Sequence, residues 1–321
     1  MITKNFAYHA PADLHGVVTA LSAASGTAVV LGGGTMLVPD MTHGKTVADV
    51  VVDLSRAGLS GITLDGGGGP HDGPVADDGV SDGRVADGRV ADGRVADGRV
   101  ADGGVVVVGA TTTYAHVLSD PRSRTLAPLL RRVAGGVTGG PQIRNKGTIG
   151  GSACYANPSS EVPAALVALG ARLRLASAGG TREVAAGDFF TGAFATARRP
   201  GEVLAAIALP APTGPCPGYT KLKLNESSWP IATAACVPGP DGALRVALGA
   251  VAATPLLVTL DPPEAGVADP AWRAHVREVV DAALAEPWSD VLADGDYRRR
   301  VAPVVAVRAV ADALQQAEGE S

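Results

Sequence analysis

Two glycine-rich turns, each preceded by an apolar segment, constrain this 321-residue chain more than any other feature. The first reads Val30-Leu31-Gly32-Gly33-Gly34-Thr35-Met36-Leu37-Val38-Pro39. The second runs Pro141-Gln142-Ile143-Arg144-Asn145-Lys146-Gly147-Thr148-Ile149-Gly150-Gly151-Ser152 and continues through Tyr155 to an acid, Glu161, just before an apolar helical run. Paired glycines let a backbone approach a ligand closely, because no Cβ intervenes and positive φ is open. Threonine and serine hydroxyls beside exposed N–H groups suit a diphosphate, and a carboxylate beyond them suits a ribose-type hydroxyl. Either turn alone reads as an ordinary tight turn. Together they point to a dinucleotide held between two loops.

The rest of the chain supplies a scaffold of alternating strands and helices. Leu14, Val17, Val18 and Leu21 recur at helical spacing within 10–25, opened by Pro11 and Asp13 and stopped by Gly26. Residues 27–31 and 47–54 read as strands, with another from Ile62 and a buried one over 105–109. Helices are expected over 113–118 and 163–169, and strands over 172–176, with a hairpin at Gly179-Gly180, and 203–209. The proline-rich stretch 210–217 reads as a stiff linker and a domain boundary. Strands at 219–224, 231–237, 244–252 and 255–260 are followed by helices at 271–285 and 296–317, an α+β arrangement with helices on one sheet face. Residues 66–104 break every pattern. Val-Ala-Asp-Gly-Arg repeats with period five from Val85 to Arg99, which fits neither 3.6 nor 2. So little apolar bulk cannot offset ordering entropy, so a disordered expansion of a hairpin tip is expected.

Charge and cysteine content exclude several classes. A net charge of −5 argues against binding a nucleic-acid backbone. No apolar run is long enough to span a bilayer, and the N-terminal residues lack a signal core. The three cysteines, Cys154, Cys216 and Cys236, are too few and too scattered for a four-cysteine cluster, and the odd count favours a reducing cytoplasm.

From about Phe6 to the last helix, with one insertion, the chain resembles the FAD-binding medium subunit of molybdenum hydroxylases, the xanthine dehydrogenase and carbon monoxide dehydrogenase group. The residues carrying the likeness are the Gly-Gly-Gly-Thr turn at Gly32–Thr35, Ile143-Arg144-Asn145 running into Thr148-Ile149-Gly150-Gly151, and Gly109-Ala110-Thr111-Thr112-Thr113-Tyr114. The resemblance implies a PCMH-type FAD-binding domain of two subdomains over 1–210, with the insertion at 66–104. It implies a C-terminal domain over 211–321, of the CO dehydrogenase flavoprotein type, with a small antiparallel sheet and helices. It further implies that FAD is held at Leu31, Gly32, Gly33, Gly34, Thr35, Met36 and Leu37 and at Thr148, Gly150, Gly151 and Ser152, which grip the diphosphate. Met36 stands where the family often has an acid, and Ser152 where it usually has Asn. Glu161 falls near the adenosine ribose, with a plain helix cap as the alternative, Lys221 near the flavin edge, Thr138 and Gly139 along the flavin or adenine region, and Leu204 against the cofactor through backbone or side chain, with a core leucine as the alternative. Tyr155, which follows the second loop, reads as a flank of the isoalloxazine ring or as a core tyrosine.

The implied function is electron transfer from [2Fe-2S] clusters on a small partner chain, through FAD, to NAD, oxygen, a quinone or another acceptor. Substrate oxidation would occur on a large chain carrying the molybdenum cofactor. A free-standing flavoprotein oxidoreductase on the same architecture is the alternative, though nothing beyond Pro210 offers it a catalytic base. No GxGxxG motif opens a helix, and the histidines show no metal-ligand spacing.

Overall fold

The computed structural model describes residues 2, 4–65, 95–96, 99–100, 104–212, 214, 216–239 and 241–319. Most of the period-five repeat, and the disorder expected of it, therefore lies outside the described residues.

The chain opens with strand β1 (Ala7–His9), helix α1 (Leu14–Ala23), strand β2 (Ala28–Leu31), helix α2 (Leu37–Thr42) and strand β3 (Val50–Asp53). The strands form a parallel sheet in the order β1-β3-β2. The Val-Val-Val-Asp run of β3 is central and buried throughout, which is why it carries no polar alternation. Asp13 starts α1 by accepting the Gly16 N–H at 2.7 Å, and the fully buried Val17 sets the helix against Val50, Val52 and Leu54.

A five-stranded antiparallel sheet follows: β4 (Ile62–Asp65), β5 (Val105–Gly109), β6 (Arg172–Ser177), β7 (Gly180–Ala185) and β8 (Val203–Pro210), in the order β4-β5-β8-β6-β7. Between β5 and β6 the chain makes helices α3 (Tyr114–Ser119), α4 (Pro128–Gly136), α5 (Gly140–Arg144), α6 (Ile149–Tyr155) and α7 (Glu161–Ala168), with a one-turn helix at Ser123–Leu126. All eight residues of α7 are buried, and apart from Glu161 at its start none is polar; a helix with no polar stripe belongs at a core centre.

The last part is a four-stranded antiparallel meander, β9 (Gly218–Lys223), β10 (Pro230–Pro238), β11 (Leu244–Gly249) and β12 (Leu256–Leu260), then α8 (Pro270–Ala283) and α9 (Gly295–Gly319). Ala232, Ala234, Cys236, Val246 and Leu248 face the two helices, while Ala235 and Ala247 join the main core with α7. Burial on both faces explains why β10 is apolar apart from Thr233, with no polar alternation. Arg298 of α9 is fully buried: it donates to the Ile231 and Ala250 carbonyls and pairs with Asp290. The α+β class expected from sequence is the observed one. The expected helix at 163–169 starts two residues earlier, at Glu161, and the signature stretch holds two helices, α5 and α6, where a loop was expected.

Candidate dinucleotide site

The first glycine turn leaves β2 after Leu31, whose carbonyl accepts the Leu54 N–H at 2.9 Å. Gly34 turns the chain with φ of +72°, and α2 begins when Val38 and Asp40 donate back to Gly34 and Met36. Among the described residues, the N–H groups of Gly32, Gly33, Gly34, Thr35 and Met36 donate to no protein acceptor. Met36 occupies the N-cap position of α2 and makes no side-chain capping bond, as expected for an apolar residue there. Leu31 through Leu37 are all half-buried.

The second turn is built differently. The segment Ala110–Tyr114 runs beside it and takes up its main chain almost residue by residue. Gly150 donates to Ala110 O at 3.0 Å, Ile149 to Thr112 O at 2.9 Å, and Tyr114 donates to Gly147 O at 3.1 Å. The Thr148 side chain caps α6 by accepting the Gly151 N–H at 2.9 Å, and Ser152 N–H returns to Thr148 O. The buried Tyr114 hydroxyl is hydrogen-bonded to the Ser152 hydroxyl. The second turn therefore presents hydroxyls, where the first presents N–H groups.

The two turns touch. A Cβ on Gly33 would lie 1.7 Å from Lys146 O, and one on Gly32 would lie 3.2 Å from Thr148 Oγ1. Glycine at 33 is thus required by main chain packed on main chain. The side-chain direction at 33 is closed by the other loop. Gly150 is held the same way, its Cβ position 2.5 Å from Ala110 O. Gly151 is exposed, and a Cβ there would crowd the capping Thr148 Oγ1 at 2.7 Å.

The structure brings Glu161 and Lys221 together. They form a buried ion pair, with side-chain exposures of 6% and 9%, and the Lys221 ammonium also donates to Gly136 O at 2.8 Å. Burial pushes the Glu161 carboxyl up, and the lysine beside it works in the opposite direction. The sequence reading assigned these groups to a ribose end and a flavin edge; the structure puts them at one point, where α7 meets β9. Tyr219 lies alongside, its buried hydroxyl without a protein partner among the described residues. The Tyr155 ring is half-buried, reaches Asp40 of α2 through its hydroxyl at 3.4 Å, and meets Phe194 edge-on with centroids 5.3 Å apart. Gly139 adopts φ of +91° ahead of α5, and Thr138 is half-buried before it. Leu204 is 3% exposed and packs in the main core, which leaves its backbone as the group that could meet a cofactor.

Three residues went unnoticed in the sequence as site residues: Ala110, Thr112 and Tyr114. Their signal was the Gly-Ala-Thr-Thr-Thr-Tyr run, which marked family likeness but not its purpose as a template. Backbone strain gathers just behind the second turn. Ala156, Phe194 and Ala250 are the described non-glycine residues with positive φ. Phe194 N–H donates to Ala156 O, and Ala250 N–H to Pro158 O. Each such residue costs roughly 1–2 kcal/mol, so the segment linking Ser152 to Glu161 is held against a local preference.

The family model for the FAD binding domain in molybdopterin dehydrogenase matches residues 97–212. The carbon monoxide dehydrogenase medium chain of Afipia carboxidovorans is 31% identical over 99% of this chain and 100% of its own length. The chain belongs to the FAD-binding medium subunits of the molybdenum hydroxylases. The medium chain from Hydrogenophaga pseudoflava is 29% identical over 97% of each. Among solved structures, the Hydrogenophaga pseudoflava carbon monoxide dehydrogenase superposes with a TM-score of 0.78 at 28% identity, covering 99% of this chain and 100% of that one. Quinoline 2-oxidoreductase from Pseudomonas putida 86 gives 0.74 at 25% identity, covering 99% of each chain. FAD is the family's cofactor, and the site fits it. A diphosphate is an acceptor-only group, and the first turn offers five uncommitted N–H donors in sequence.

Proposed function

We propose that this medium subunit passes electrons through non-covalently bound FAD, from iron–sulfur clusters on a small partner chain to an external acceptor, with substrate oxidation on a large molybdenum-cofactor chain. FAD, when bound, supplies a redox centre that exchanges electrons singly or in pairs. The observation that carries this reading is the row of N–H groups from Gly32 to Met36 that donate to no acceptor among the described residues, on a turn that touches the loop bearing Thr148 and Ser152. In this reading Leu31–Leu37 hold the diphosphate mainly through main chain. Thr148 accepts a bond from Gly151 and keeps its own hydroxyl proton to donate, and Gly150, Gly151 and Ser152 complete that wall. Tyr155, Thr138 and Gly139 flank the groove, while the Glu161–Lys221 pair and Leu204 support it from behind. No group of three or more potential metal ligands occurs among the described residues, so an iron–sulfur donor is assigned to another chain. No helix among the described residues is long and apolar enough to cross a membrane.

Residues 1–210 and 211–321 are proposed as separate domains of the subunit, which meet where α7 packs on the meander. The acceptor is proposed to be NAD, oxygen or a quinone. Deflavination of the purified complex tests the function. Substrate should still reduce the iron–sulfur chromophore, while acceptor turnover stops and returns on adding FAD. Turnover persisting without FAD would place electron exit elsewhere. Flavin left with acid-precipitated polypeptide would contradict the non-covalent binding.

A further inference from the structure

We infer that Tyr114 is a positioning residue for the FAD site, holding Ser152 so that the serine hydroxyl proton points at the bound diphosphate. The inference rests on the proposed FAD-binding role of the second loop. Three contacts tie Tyr114 to that loop: its N–H donates to Gly147 O at 3.1 Å, its ring stands 2.8 Å from where a Gly147 Cβ would be, and its hydroxyl meets the Ser152 hydroxyl. The residue is 5% exposed and starts α3, capped by the Thr113 hydroxyl on the His116 N–H at 3.0 Å, so the ring has one seat.

Hydroxyl polarity follows from chemistry. A phenol is the stronger donor of the two and an aliphatic hydroxyl the stronger acceptor. Burial also raises the Tyr114 phenol above its ordinary pKa, with Glu161 nearby adding to the rise, so the phenol keeps its proton at working pH. Tyr114 therefore donates to Ser152 Oγ, and the serine proton is left to donate outward. The main-chain N–H groups of Ile149, Gly150, Gly151 and Ser152 are already engaged, so this hydroxyl is among the few donors the second loop retains. Tyr114 touches no ligand in this scheme; it acts through Ser152.

The test is a double-mutant cycle on FAD binding to the deflavinated full chain, using Tyr114→Phe, Ser152→Ala and the pair. Tyr114→Phe keeps the ring against Gly147 and deletes one oxygen. Each single change should raise the FAD Kd by about 5- to 10-fold, and the double should be no worse than either, because both break the same relay. The visible flavin bands should shift alike in all three. Thermal melts of the FAD-free proteins separate binding from folding. Should Tyr114→Phe not fold, Ser152→Ala and Ser152→Thr decide: threonine should restore affinity and alanine should not. A Tyr114→Phe Kd equal to wild type, or losses that multiply in the double, would overturn the inference alone. A wild-type chain that binds no FAD would overturn it together with the proposed function.

Discussion

The two glycine turns look alike in sequence and differ in what their main chains do. In the first, Gly32 to Met36 keep their N–H groups uncommitted, and the turn is held from outside by Lys146 O pressing on Gly33. In the second, Ile149 to Ser152 have theirs engaged by Ala110, Thr112 and Thr148. One loop is available and braced; the other is the brace. Glycine therefore means different things in each: close approach to a neighbouring loop at 33, close approach to a strand end at 150, and room for a cap at 151.

The strongest way to break this comparison is Gly33→Val. The new Cβ would fall 1.7 Å from a carbonyl oxygen, a backbone clash that no rotamer relieves. The expected cost is above about 4 kcal/mol, with loss of FAD, read by thermal denaturation and flavin content. A variant that melts like wild type yet lacks FAD would return Gly33 to a purely ligand-facing role.

What stands behind the second loop gives the next test. Lys221→Ala leaves Glu161 buried without its cation, which should cost about 3 kcal/mol at neutral pH. The sign with pH follows from Glu161, whose folded pKa burial raises above the unfolded value. The folded state then binds the proton more tightly, so stability is greatest in acid and falls as pH rises through the window up to the raised value. Removing the lysine widens that window. Melting curves of Lys221→Ala should converge on wild type toward acid pH, and adding Glu161→Gln should recover most of the loss at neutral pH. The flavin potential should move little, since the Lys221 ammonium is already engaged by Glu161 and by Gly136 O. A large fall in potential with unchanged stability would show that the lysine's charge acts on the flavin directly.

A smaller effect is expected from Thr148→Val, which keeps the shape and removes the oxygen that accepts the Gly151 N–H. Loss of such a cap costs about 1 kcal/mol. FAD affinity should fall as well, because the second loop loses a hydroxyl donor. Unchanged affinity, measured by titration of the FAD-free protein, would remove the Thr148 hydroxyl from the diphosphate site.

Much of this molecule was legible in the sequence, for identifiable reasons. The helix at Leu14–Ala23, the strands around Val105–Gly109 and Val203–Pro210, and the terminal meander with its helices carry strong local periodicity or punctuation. The two glycine turns were legible as a pair because glycine marks backbone geometry directly. Contacts between distant segments were not. Nothing in the local pattern of Glu161 or Lys221 shows that they pair across 60 positions, since each fits its own element without the other. The parallel pairing of Ala7–His9 with Val50–Asp53 is likewise set by a crossover helix and sheet order, which a three-residue exposed strand cannot announce. Tyr114 was hidden by a different ambiguity: a buried aromatic at the start of a helix reads as core until its hydroxyl is seen on Ser152.

A third glycine-rich stretch, 66–104, completes the comparison, because the strands on either side of it pair with each other. Ile62–Asp65 and Val105–Val108 pair in antiparallel register, with Asp65 opposite Val105. The ladder therefore holds the closing residues together whatever is strung between them. Deleting 85–99 removes less than half of the connection, and loop-closure free energy changes by only about 0.6 kcal/mol per doubling of length. Stability should shift by a few tenths of a kcal/mol at most, toward greater stability, with FAD content unchanged. The two short turns behave otherwise because their glycines are pressed on backbone, so there a single methyl group outweighs the loss of three whole repeats. Co-purification of the deletion variant with its partner chains checks the remaining alternative: if assembly failed while FAD stayed bound, the repeat would be a contact surface in its own right.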